Sequence, residues 1–160
     1  MDEFQARRLV EAYADMILRI SYQYLQQTQD AEDICQTVFL KYLTANCRFD
    51  SIEHEKAWII RTTINACKDL LKSAYRRKTL PLEDASRLAA PPIPENELTE
   101  AMRCLPETYR IVLHLYYYEG YTAREIGAVT GKSEANVTMY LSRARKKLRT
   151  ILTKEGKLIV

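Results

Sequence analysis

Two runs of residues in this chain combine cations with groups able to meet nucleic-acid bases. In the first, Trp58, Arg61, Asn65, Lys68, Asp69, Lys72 and Arg76 recur at helical spacing, so one helix would carry them all on one face. Cations that grip a phosphate backbone, beside an aromatic able to stack on a base, are what single-stranded nucleic-acid binding requires. A half-buried Trp58 on a salt-bridged surface explains the same pattern without a ligand. In the second run, Ala135, Met139, Ser142, Arg143 and Lys146 share a face, Asn136 and Thr138 flank it, and Arg145, Lys147 and Arg149 follow. Small and polar groups at the start of a helix, with cations towards its end, suit a start that enters the major groove and an end that meets phosphates. A solvent-facing basic helix is the plainer alternative.

Other chemistries find no support. Cys35, Cys47, Cys67 and Cys104 stand 12, 20 and 37 residues apart, and His54 and His114 are isolated. Neither a CxxC pair nor a Cys/His ligand cluster forms, so free thiols in a reducing compartment are expected, with no metal and no cofactor. No nucleophile or carboxylate constellation marks an enzyme. No 18-residue apolar run spans a membrane, and the N-terminal residues lack the apolar core of a signal peptide, which predicts a cytoplasmic chain.

The elements that must position these residues are helical. Only four of the 160 residues are glycine, and strand-like alternation is scarce. Leu9, Tyr13, Met16, Ile20 and Tyr24 mark a first amphipathic helix. A second is expected to start with Asp30 as its cap and to bury Ala31, Cys35, Val38 and Tyr42, turning Asp33, Gln36, Thr37 and Leu40 outward. A third covers about 53–77, with room for a break near Asn65, and buries Ile60, Ile64, Cys67 and Leu71. Prolines at 81, 91, 92 and 94 interrupt helix formation and predict a linker over 79–97. The expected organisation is all-α: a helical domain over 1–78, the Pro-containing linker, a second helical domain over 98–153 and a tail over 154–160.

The second domain is expected to open with Pro106 in a first helical turn, and to bury Leu105, Tyr109, Val112, Leu113 and Tyr116. Thr122 and Glu125 have the spacing of a capping box, with Tyr121 and Ile126 as a hydrophobic staple. Gly131 can end that helix in the left-handed conformation, and Ser133 can cap the next. Two helices joined by a short glycine-containing turn make a helix-turn-helix. Gly127, inside the first of them, predicts a close helix crossing. The later helix would bury Val137, Leu141, Ala144, Leu148 and Ile151. Charge segregates along the chain. Residues 72–80 carry four basic and no acidic side chains, 81–100 one basic and five acidic, and 131–160 eight basic and two acidic. Two basic blocks around an acidic spacer suggest two polyanion contacts.

In this order the pieces resemble an extracytoplasmic-function sigma factor. DAEDICQTVFL is similar to the family's A-E-D-x-x-Q-x-x-F stretch, and AWIIRTTINACKDLLKSAYRR to the segment that follows it. LPETYRIVLHLYYYEGYTAREIGAVTGKSEANVTMYLSRARKKLR resembles the fourth conserved region. The resemblance implies that Asp33, Gln36, Thr37 and Leu40 hold core RNA polymerase. It implies that Trp58, Arg61, Asn65, Lys68, Asp69, Lys72 and Arg76 meet the separated minus-ten strand. Tyr116, Arg124, Asn136, Thr138, Met139, Ser142, Arg143 and Lys146 would engage minus-35 promoter DNA, and an anti-sigma protein is an expected partner. The recognition stretch A-N-V-T-M-Y-L-S-R departs from the frequent G-T-V-K-S-R-L-x-R, with Thr138 and Tyr140 where relatives carry cations. A stand-alone helix-turn-helix regulator, dimeric on a palindromic operator, is the rival reading.

Overall fold

The computed structural model describes residues 2–76 and 97–154, and divides the chain into two compact units, Met1–Pro91 and Pro92–Val160. Among the described residues every regular element is helical. The expected linker lies outside the described residues except Glu97, and the expected tail except Lys154.

The N-terminal unit holds α1 (Glu3–Leu25), α2 (Thr28–Ala45) and α3 (Ile52–Arg76), each in contact with the other two. Asp2 opens α1 with a capping box: its carboxylate accepts from the Gln5 amide at 2.8 Å, and the Gln5 side chain accepts from the Asp2 amide at 3.3 Å. Gln26 closes α1 at φ 55°, in the left-handed region. All five expected residues of α1 are buried. With Ile17, Ile20, Val38, Ile59, Ile60 and Ile64, they form a core of mostly branched aliphatics, each contributing about 1.5–3 kcal/mol through burial.

Two expectations need correction here. Asp30 does not cap α2. The helix begins two residues earlier at Thr28, where the Gln27 carbonyl accepts from the Ala31 amide at 3.1 Å. Asp30 lies in the first turn instead, where a carboxylate favours the positive helix end. The core stripe of α2 also runs through Ile34, while Cys35 and Tyr42 are only half-buried. Helix α3 is continuous through Asn65.

The C-terminal unit holds α4 (Glu97–Arg103), α5 (Glu107–Leu113), α6 (Ala123–Thr130) and α7 (Glu134–Lys154), with α4, α5 and α6 all packed against α7. Helix α4 was not expected: seven residues are too few to display a period, although Ala101 is fully buried. Pro106 stands one position before α5, and its carbonyl accepts from the amides of Tyr109 and Arg110. The buried Arg110 side chain donates to the Leu105 carbonyl, tying down the corner between α4 and α5.

Helix α5 runs into a wide π turn, His114–Tyr118, in which the Glu119 amide donates to the His114 carbonyl at 3.3 Å. The extra residue per turn rotates Tyr116, Tyr117 and Tyr118 to the outside, so Tyr116 is exposed rather than part of the core stripe. The capping box at α6 is closed in both directions, at 3.1 Å and 3.0 Å. Gly131 takes φ 76°, and the Ser133 hydroxyl accepts from the Asn136 amide at 3.1 Å to open α7. Gly127 has a different cause from the helix crossing expected. A Cβ there would lie 2.5 Å from the backbone carbonyl oxygen of Lys132 in the turn. The same turn donates the Gly131 and Lys132 amides to the Gly127 carbonyl at 2.9 and 3.0 Å. The tight turn itself excludes a side chain.

Candidate nucleic-acid interface

On α2, Asp33, Gln36 and Leu40 face outward, Leu40 with 62% of its surface exposed. Thr37 is half-buried and donates its hydroxyl to the Asp33 carbonyl at 3.0 Å. Leu43, one turn beyond Leu40, is also exposed. It belongs to the same mixed apolar and polar surface, and its i+3 spacing from Leu40 was the available signal.

On α3, Arg61, Asn65, Asp69 and Lys72 are exposed and Lys68 is half-buried, on the side opposite Ile60, Ile64 and Cys67. The side chain of Arg76 lies outside the described residues. Trp58 does not stand free on this stripe. Its half-buried ring meets Tyr42 edge-on at 5.9 Å and Phe49 at 5.9 Å, and Phe49 in turn stacks on Tyr42 at 5.8 Å and meets His54 at 5.3 Å. Four aromatic rings from α2, α3 and the connection between them thus fix the start of the cationic stripe.

Directly beneath is a group that the sequence reading missed. Glu55 is buried, and its carboxylate accepts from the Tyr13 and Tyr42 hydroxyls, both at 2.6 Å, and from the Arg8 guanidinium at 3.2 and 3.4 Å. Burial alone would raise its pKa. The hydrogen bonds from Tyr13, Tyr42 and Arg8 outweigh that and hold the carboxyl below its ordinary value. Burial, followed by the bond to Glu55, pushes the Tyr42 hydroxyl up to about 12. One carboxylate therefore ties α1, α2 and α3 together at the level of Trp58. Its partners lie 13 to 47 residues away, beyond the reach of any periodicity.

On α7, Ala135, Asn136, Thr138, Ser142, Arg143 and Lys146 are exposed and Met139 is half-buried, while Val137, Leu141 and Ala144 are buried. Leu148 and Ile151 are half-buried. Arg124 is exposed on α6. Arg145 turns away from the outer face. Its Nε donates to the Tyr117 hydroxyl at 2.6 Å, and its guanidinium lies 5.2 Å and 5.4 Å from the ring centres of Tyr116 and Tyr117. Tyr140 meets Tyr109 at 6.1 Å and carries the Lys132 ammonium 5.6 Å over its ring. The outward face of α7 thus begins with neutral groups and becomes cationic only at Arg143.

Each unit matches a family model. Sigma-70 region 2 matches residues 9–77, and sigma-70 region 4 matches residues 95–148. The chain is 30% identical over 160 residues to the ECF RNA polymerase sigma factor SigE of Mycolicibacterium smegmatis, covering 92% of this chain and 62% of that one. The chain belongs to the sigma-70 family, in its extracytoplasmic-function branch. It is also 27% identical to the RNA polymerase sigma factor SigV of Bacillus subtilis, covering 86% of this chain and 84% of the relative. Its fold is that of the sigma factor RpoE from Bartonella quintana, solved in complex with the anti-sigma factor NepR. The TM-score is 0.69 at 16% identity, over 93% of this chain and 97% of that one. Region 2 corresponds to the unit of α1–α3, with its polar stripe, and region 4 to the unit of α4–α7, with its helix-turn-helix. No helix among the described residues is long and apolar enough to cross a membrane.

Proposed function

We propose that this chain is a dissociable promoter-reading subunit of RNA polymerase, acting in the cytoplasm and without catalytic chemistry of its own. The observation that carries the reading is the succession of sigma-70 regions 2 and 4 on two separately folded helical units. Each unit presents an outward face of cations and polar groups. In this reading Asp33, Gln36, Thr37 and Leu40 hold the core polymerase. Trp58, Arg61, Asn65, Lys68, Asp69, Lys72 and Arg76 take the separated minus-ten strand, with Asn65 to Asp69 near an extruded base. Tyr116 and Arg124 touch the minus-35 backbone, while Asn136, Thr138, Met139, Ser142, Arg143 and Lys146 enter its major groove.

Docking makes the second DNA contact effectively intramolecular, so neither reader needs high affinity alone. Opening is driven by capture of an unpaired base. An anti-sigma protein that covers these faces would keep the chain idle, as the complex solved for the Bartonella quintana protein illustrates. The test is to add the purified chain to sigma-free core polymerase and assay transcription from candidate promoters. Initiation at a defined start supports the reading. Duplex binding with no initiation would replace it with a stand-alone regulator.

A further inference from the structure

The first two turns of α7 have an unusual chemical character for a helix assigned to base reading. Their outward groups are the methyl of Ala135, the amide of Asn136, the threonine head of Thr138 and the thioether of Met139. The one charge among them is the carboxylate of Glu134. The nearby cations are engaged or lie further along: Lys132 over the Tyr140 ring, Arg145 on Tyr117, and Arg143 in the third turn.

Thr138 is the informative residue. Its hydroxyl donates to the Glu134 carbonyl at 3.0 Å, so towards DNA it can only accept, and its methyl is the other part of its exposed head. Guanine presents two acceptors and no donor in the major groove, whereas adenine offers a donor at N6 and thymine a methyl at C5. An acceptor-only hydroxyl and a carboxylate have nothing to offer guanine. A carboxamide matches the adjacent acceptor and donor of adenine, and methyl groups match thymine.

We infer that the leading turns of α7 select A·T pairs at the minus-35 element, with Thr138 and Ala135 against thymine methyl groups and Asn136 on an adenine edge. The inference rests on the assignment of α7 as the minus-35 reader and adds the bases that it reads. Arg143 and Lys146, further along the helix, supply backbone attraction or contact at the far end of the element.

The test uses holoenzyme assembled from the full chain and core polymerase, selecting from a duplex pool randomised across both promoter elements. The selected minus-35 half-site is expected to contain consecutive A·T pairs at the positions that face the start of α7. Replacing each of its thymines in turn by deoxyuridine, which removes only the C5 methyl, should weaken retention about fourfold per contacted methyl. Thr138→Ser keeps the hydroxyl and removes the methyl, so it should abolish the deoxyuridine penalty at one thymine and leave the others in place. A guanine-led half-site indifferent to deoxyuridine, from a holoenzyme that initiates normally, would overturn the inference and leave the sigma assignment standing. A chain that never joins core polymerase, or never retains duplex with it, would overturn both.

Discussion

The two units present cations on a helix face, but they hold those faces in different ways. In the α1–α3 unit the stripe starts at an aromatic cluster around Trp58, built over a buried carboxylate with three partners drawn from two other helices. In the α4–α7 unit the reading helix is set by local devices: a capping box, a left-handed glycine, a serine cap and a turn too tight for a side chain at residue 127. The first surface depends on contacts between residues far apart in the chain, the second on contacts between near neighbours.

The largest expected effect separates the two modes. Glu55→Ala leaves the buried Tyr13 hydroxyl without its acceptor and should cost about 3 kcal/mol, read by urea unfolding from the fluorescence of the single tryptophan, Trp58. An unchanged midpoint would mean that the carboxylate is not the tie it resembles. The pH dependence has a definite sign. Because the folded pKa of Glu55 lies below its ordinary 4.5, its contribution is present above that pH and is lost as pH falls through the folded value. The raised Tyr42 acts in the opposite sense: its contribution is intact below pH 10 and is lost as pH rises towards about 12. Glu55→Gln should flatten the acid limb.

Next in size is Gly127→Ala, expected to cost about 2 kcal/mol, because a Cβ would be forced against the Lys132 carbonyl. Thermal unfolding followed by circular dichroism would detect it, and no loss would show that the turn can relax. Replacing Asp33 and Gln36 together by alanine should weaken binding to core polymerase by about tenfold, with the Trp58 unfolding midpoint unmoved. Unaltered affinity would rule out the α2 face as the docking surface. The smallest effect belongs to Thr122→Ala, about 1 kcal/mol from the loss of one cap, again by thermal unfolding.

This contrast also decides what could be read from the sequence. The helix-turn-helix was legible almost residue by residue, since Thr122, Glu125, Gly131 and Ser133 act within three or four positions of where they stand. The apolar stripes of α1, α3 and α7 were legible because burial repeats with the helical period. Three features were not. Glu55 reads as one more acid at the start of a helix until Tyr13 and Arg8 are brought beside it. Helix α4 is shorter than two periods. The π turn changes the phase partway through an unbroken apolar and aromatic run, which is why Tyr116 was expected inside and is found outside. The stripe of α3 was placed correctly as a face, but its tryptophan belongs as much to the unit's aromatic cluster as to its surface.

That π turn has a further consequence. The segment His114–Tyr118 accommodates one residue more than ordinary winding would. A single-residue deletion there would restore regular winding, yet everything after it would emerge about 100° further round the axis. Arg145 would then no longer find Tyr116 and Tyr117 at its side. The segment works as an angular spacer: it sets the heading at which the chain leaves α5 for the helix-turn-helix, and it tolerates substitution far better than a change of length.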